Sequence, residues 1–151
     1  MKDQTTILIS GSRKLKETPE NLRRLELALD EIHAILATEN DNWNYPGRIL
    51  HGGAKGADQV AGQLARKLGL TEDIHLPDYD IWNRKYAPLR RNLEMIDEAD
   101  AVIVIYAPHC VRVGGSGFVA SRTAKAGKHL LEVMPDGTRR HTPPPAQLQY
   151  R

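Results

Sequence analysis

One cysteine, one phenylalanine and no apolar run longer than Ala101 to Ala107 set the first limits on this chain of 151 residues. A lone Cys110 excludes an intrachain disulfide and fits a reducing compartment. Cys110 is either a nucleophile or, as is commoner for a small residue near a strand end, a packing residue. The Ala101–Ala107 run is far too short to span a bilayer. Met1-Lys2-Asp3-Gln4 carries no apolar signal segment. The expectation is a cytoplasmic protein with no membrane partner. A formal net charge of only +2 argues against nucleic acid as the partner. The six histidines show no metal-ligand spacing with Cys110 or the carboxylates, so no metal and no cofactor is called for. A Gly-x-Ser-x-Gly elbow and internal repeats are both missing.

What is present is an alternation of short apolar runs and amphipathic stretches, with 40% hydrophobic and 26% charged residues, in a length that suits one domain. Ile7-Leu8-Ile9 reads as a first buried strand ending at Ser10-Gly11-Ser12-Arg13. Thr18-Pro19-Glu20 starts a helix, with Thr18 as N-cap and Pro19 at the first helical position. Leu22, Leu25, Leu29, Ile32 and Leu36 then recur at helical period. Asn40 to Gly47 reads as a loop, Arg48 to His51 as a strand, and Gly56 to Leu68 as a helix stopped by Gly69. Asp73 to Leu76 is expected as a short strand, Pro77 to Pro88 as a loop, and Leu89 to Ala99 as a helix whose apolar face is Leu89, Leu93 and Ile96. Ala101 to Tyr106 is the most strand-like run and belongs centrally in a sheet. A helix follows Gly114-Gly115-Ser116-Gly117 to about Ala126, then a last strand from His129 to Met134.

This pattern predicts an α/β, Rossmann-like, doubly wound and mainly parallel sheet of about five strands in a single domain over residues 1–134. Residues 135–151, basic and proline-rich, are expected to be a poorly ordered tail. In such sheets the ligand lies at the C-terminal ends of the strands, near a switch in strand order. Gly11, Gly52-Gly53 and Gly114 to Gly117 all fall at strand C-termini, so a parallel sheet would gather them at one edge.

His51-Gly52-Gly53-Ala54-Lys55-Gly56-Ala57-Asp58 is the densest motif. Between a strand and a helix it is either a phosphate-binding turn, with Gly52, Gly53 and Gly56 cradling the anion beside helix N–H groups, or a tight glycine turn with no ligand. Lys55 is a counter-charge or a solvated lysine. Asp58 is stabilised by the helix dipole without any ligand; if functional, it accepts from ribose hydroxyls. His51 reads as a turn or core histidine. Gly11 allows close approach, Ser12 can donate, and Arg13 can grip a phosphate bidentately or merely face solvent. Arg90-Arg91-Asn92 opens a helix aimed at the same edge. The helical wheel turns Arg90 and Asn92 toward the apolar face and Arg91 away. Glu94 and Asp97 suit surface carboxylates. Tyr79, Trp82 and Tyr86 either stack on a base or pack beneath their loop.

Ser10-Gly11-Ser12-Arg13, His51 to Asp58, Ala87-Pro88-Leu89-Arg90-Arg91-Asn92 and Ala99-Asp100-Ala101-Val102-Ile103, in that order, resemble the YspA/YpsA-related branch of the SLOG superfamily over residues 5–134. The superfamily includes the "lonely guy" cytokinin-activating phosphoribohydrolases and the DNA-processing protein A of transformation. The resemblance implies a Rossmann-like fold that binds nucleotides or their derivatives. Many members of the branch are proposed sensors or processors of such ligands in bacterial and phage conflict systems. It also points to Arg91-Asn92 as the matching pair, against the wheel, so both arginines stay candidates. Gly114-Gly115-Ser116-Gly117-Phe118 stands in place of the phosphoribohydrolases' Gly-Gly-x-Gly-Thr motif, and Ser121 stands where those enzymes carry a catalytic glutamate. The implied ligand site is therefore Gly11, Ser12, Arg13, Gly52, Gly53, Lys55, Gly56, Arg90, Arg91, Asn92, Gly115, Ser116 and Gly117. Their ligand would be a nucleoside phosphate or an ADP-ribose-like molecule. Cleavage of an N-glycosidic bond in a nucleoside monophosphate would need Asp58 or Glu94 to replace the missing glutamate. A nucleic-acid-binding module, by analogy with the DNA-processing protein, would need a basic stripe that the chain does not spell out. Related folds dimerise through exposed helices, so a homo-oligomer is expected.

Overall fold

The computed structural model describes residues 4–39 and 43–145. Its elements run β1 (Thr5–Gly11), α1 (Pro19–Glu39), β2 (Pro46–His51), α2 (Ala57–Leu68), β3 (Thr71–Ile74), α3 (Ala87–Glu98), β4 (Ala101–Ile105), α4 (Gly114–Lys125), β5 (His129–Val133) and β6 (Arg139–Thr142). The sheet order is β3-β2-β1-β4-β5-β6, parallel except for β6. β1 and β4 lie side by side at the centre, Ile7 opposite Ala101 and Gly11 opposite Ile105. The chain winds outward from β1 in one direction and from β4 in the other, so the switch point lies between their C-terminal ends.

Alternation along the central strands builds two cores. Ile7, Ile9, Ile103 and Ile105 pack with Leu25 and Leu29 of α1 and Val60 and Leu64 of α2. Leu8, Val102 and Val104 pack on the opposite face with Met95 and Ile96 of α3 and Val119 of α4. Each such fully buried aliphatic side chain is worth about 1.5–3 kcal/mol of transfer from water. The expected caps hold. Asn21 N–H donates to Thr18 Oγ1 at 3.2 Å. Gly69 ends α2 at φ 68°, with Leu70 N–H donating to the Ala65 carbonyl at 2.8 Å.

Four expectations are corrected. The third strand occupies Thr71–Ile74 rather than 73–76, paired Arg48 to Thr71 and His51 to Ile74, while Leu76 is exposed. Its apolar character mimicked a buried strand position. α3 begins at Ala87, and its buried residues are Ala87, Arg91, Asn92, Met95 and Ile96. The buried stripe is therefore rotated away from Leu93. The run Gly114 to Gly117 is the first turn of α4 rather than a loop before it. Lastly, 139–142 is a sixth strand, antiparallel to β5. Pro135-Asp136-Gly137-Thr138 makes the reversal: Gly137 takes φ 88°, its N–H donates to the Met134 carbonyl at 2.8 Å, and Asp136 Oδ1 accepts from Thr138 N–H at 2.9 Å. Arg139 then ties β6 to α1 through Glu31 at 2.6 Å. The end of the expected tail, 146–151, and residues 40–42 of the expected loop lie outside the described residues. Among the described residues no helix is long and apolar enough to cross a membrane.

Candidate functional site

A cavity of about 660 Å³ opens at the β1/β4 switch point. The β1–α1 loop supplies Ser10 to Lys14, the α2 entrance Ala54 and Asp58, α3 and its approach Lys85, Pro88, Leu89, Arg91, Asn92 and Met95, and the β4–α4 connection Cys110 and Val113 to Ser116. Of the expected site residues, Gly11, Ser12, Arg13, Asp58, Arg91, Asn92, Gly115 and Ser116 come together on this lining. Gly52, Gly53, Lys55, Gly56, Arg90, Glu94 and Gly117 are not part of it.

The glycine motif is built differently from a backbone cradle. Gly53 N–H donates to His51 Nδ1 at 3.0 Å, Ala54 N–H to Asp58 Oδ2 at 3.1 Å, and Ala57 N–H to the Ser12 carbonyl at 3.1 Å. These amides are already bound within the protein. Gly56, at φ 79°, is needed because a β-carbon there would run into the Ser12 and Arg13 carbonyls. A β-carbon on Gly52 would strike the Arg91 guanidinium. The glycines let protein groups approach one another, which fixes the β1 loop and Arg91 against the α2 entrance. Gly53 faces Ile74 and Leu76, and Lys55 is exposed.

Arg91 is the buried cation of the cleft, 8% exposed, whereas the Arg90 side chain is half exposed and pairs with Glu94 at 3.6 Å. The α3 phase puts Arg91, and not Arg90, on the cavity lining, the reverse of the wheel. Arg91 donates through Nη1 to the carbonyls of Gly52 at 2.8 Å and His75 at 3.3 Å, and through Nε to Asn92 Oδ1 at 2.8 Å. Burial lowers its pKa, and the negative charge of Asp58 works against that. Burial pushes the Asp58 carboxyl above its ordinary range, opposed by the Ala54 amide, His51 and Arg91. Glu94 Oε2 accepts from His75 Nε2 at 3.1 Å on the outer side. His51 is buried at the end of β2: Nδ1 accepts from Gly53, so Nε2 carries the proton toward Glu72 at 2.7 Å. That bond holds Glu72 below its ordinary pKa.

On the far wall, Gly115 has nothing within 4 Å of where a β-carbon would sit, and Ser116 Oγ donates to the Val113 carbonyl at 3.0 Å. No side chain caps α4, and its first-turn residues Gly114, Gly115 and Ser116 line the cleft. The connection before it carries left-handed His109 (φ 65°) and Arg112 (φ 58°). Arg112 is held there by the fully buried carboxylate of Glu132, at 2.9 Å from Nε and 2.7 Å from Nη2, with Tyr106 donating to Glu132 at 2.6 Å. Ser121 is exposed on α4 and absent from the lining.

No protein-family model matches the chain. It is 29% identical to the Gene 61 protein of Mycobacterium phage D29 over 119 residues, covering 70% of this chain and 85% of the phage protein. The X-ray structure of TM1055, a structural-genomics target, superposes with a TM-score of 0.50 at 19% identity, covering 82% of this chain and 71% of that one. That likeness establishes the Rossmann-like fold.

Several lining residues carried no signal in the sequence. Lys14 follows Arg13 and was findable by adjacency; Lys85, Met95 and Val113 reach the cleft only because α3 and α4 converge on it. Glu132 is a carboxylate in the run His129 to Val133, a signal that the strand pattern alone passed over. Among the described residues, no group of three or more His, Cys, Asp or Glu side chains is placed to hold a metal.

Proposed function

We propose that this cleft binds a nucleoside phosphate or an ADP-ribose-like molecule, which the protein senses or processes, and that the chain is a member of the YspA/YpsA-related branch of the SLOG superfamily. One observation carries the reading: Arg13, Lys14, Lys85 and Arg91 line a single cavity against one carboxylate, Asp58. Concentrated positive charge between low-dielectric walls attracts an anion. The first-turn amides of α4 at Gly115 and Ser116 add donors of the kind that seat phosphoryl oxygens. Pro88, Leu89 and Met95 give the same cavity an apolar side, which suits a ligand charged at one end only. Asp58 and Asn92 then read the sugar hydroxyls.

Thermal denaturation with AMP, ADP-ribose and ribose 5-phosphate tests this, because a ligand specific for the native state raises Tm. A concentration-dependent rise that Arg91→Ala removes is the expected result. No shift with any nucleotide or sugar phosphate overturns the reading. Asp58 favours a second one, hydrolysis of an N-glycosidic bond: burial raises its carboxyl, as a general acid requires. Release of ribose 5-phosphate from a nucleoside monophosphate, lost in Asp58→Asn, would establish it; binding without turnover excludes it.

A further inference from the structure

We propose that the segment from Leu76 to Tyr86 is the wall that recognises the planar base of the ligand, with Tyr79 and Tyr86 supplying the ring faces; the inference rests on the nucleotide reading of the cleft.

This segment has no helix or strand. Two asparagine- and aspartate-centred turns shape it: Asp78 Oδ1 accepts from the amides of Asp80 (3.1 Å) and Ile81 (3.3 Å), and Asn83 Oδ1 from those of Lys85 (3.0 Å) and Tyr86 (3.1 Å). A chain stiffened by such local bonds needs no core of its own, and its apolar side chains stay outside. Tyr79 is 57% exposed, Ile81 73% and Tyr86 51%. A contiguous exposed run of this kind marks a binding surface.

Its position says what binds. Lys85, inside the run, and Pro88 and Leu89, which continue it, line the cleft. Tyr79 and Tyr86 lie outside the lining itself, on the exposed segment that leads into Lys85, Pro88 and Leu89. Lys85 sits over the Tyr86 ring at 5.8 Å, and Arg90 over the Trp82 ring at 5.5 Å. The wall thus presents π-faces and cations side by side, the combination that suits a flat base carrying phosphate. Stacking of this kind tolerates any base, because every base has a π-face.

Calorimetric titration of the full chain with AMP, ADP-ribose and ribose 5-phosphate separates the two ends of the ligand. In Tyr79→Ala and Tyr86→Ala, affinity for the base-bearing ligands falls at least about fivefold, the lower end of what a base–aromatic stack is worth. Affinity for ribose 5-phosphate stays unchanged, and Tyr86→Phe keeps the original value. An equal loss for all three ligands, or no loss, overturns the proposal, as does a concentration-dependent dimer in sedimentation that the alanine variants dissolve without altering binding. If the unaltered chain binds ribose 5-phosphate but gains nothing from the base, this inference fails while the anion site stands. If it binds none of the three, both fall.

Discussion

Arg91 donates through Nη1 to the carbonyl of Gly52 at 2.8 Å, in space that a β-carbon on Gly52 would fill. The motif glycine and the buried arginine therefore form one unit. In Gly52→Ala the guanidinium must leave. The expected outcome is a stability loss of about 1–3 kcal/mol, the usual range for overpacking, measured by urea denaturation, together with at least tenfold weaker AMP binding. Full-strength binding in a folded Gly52→Ala protein would show that Arg91 does not hold the ligand.

Gly115 has the opposite character. Its β-carbon position is open and Gly115 lines the cleft. Alanine there gains up to about 0.5–1 kcal/mol of helix stability while placing a methyl group where α4 presents its amides. Gly115→Ala should raise Tm without ligand and weaken phosphate-ligand binding several-fold. The two effects have opposite signs, so a binding loss cannot be traced to unfolding.

Asp58 gives a pH dependence whose sign follows from burial. Its folded-state pKa lies above the ordinary 3.8, so the native state holds the proton more tightly than the unfolded chain. Its contribution to stability is fully present below that ordinary value and is lost as pH rises through the raised one. Asp58→Asn, which keeps an acceptor for the Ala54 amide, should therefore raise Tm at pH 7 relative to the parent and remove this part of the pH slope. A lower Tm at pH 7, with the same slope, would contradict it.

Glu132 behaves in the reverse sense. Burial pushes its pKa up, but the hydrogen bonds from Arg112 and Tyr106 outweigh burial and hold it below the ordinary carboxylate value. Its contribution is present above that value and is lost as pH falls through the lowered one. Arg112→Ala leaves a buried carboxylate without its cation and is expected to cost about 3 kcal/mol or more. Adding Glu132→Gln should recover part of that loss, a coupling read directly from the four-member denaturation cycle. Simple additivity would mean that the pair does not brace the connection into α4.

The alternation of strand and helix, the α1 stripe from Leu25 to Leu36, the Thr18 and Gly69 caps and the gathering of Gly11 and Gly115 at one edge were legible in the sequence, because each rests on local periodicity or local backbone chemistry. The hairpin into β6 was equally local, written as Asp136-Gly137, and was masked by the proline-rich composition around it. The phase of α3 was not legible. Pro88 fits at its second position, and the buried stripe runs through Ala87, Met95 and Ile96 rather than Leu89 and Leu93, a rotation that exchanges the roles of Arg90 and Arg91.

By itself, then, the sequence determined a parallel doubly wound sheet and the edge at which its loops meet, since side-chain period and capping act over a few residues. Only the tertiary structure decided what those loops do. The amides of Gly53, Ala54 and Ala57 find their acceptors in His51, Asp58 and Ser12, and the space beside Gly52 is taken by an arginine from a helix far along the chain. Whether a glycine makes room for a ligand or for another part of the protein depends on what packs against it, and that is set by long-range contacts that no local pattern encodes.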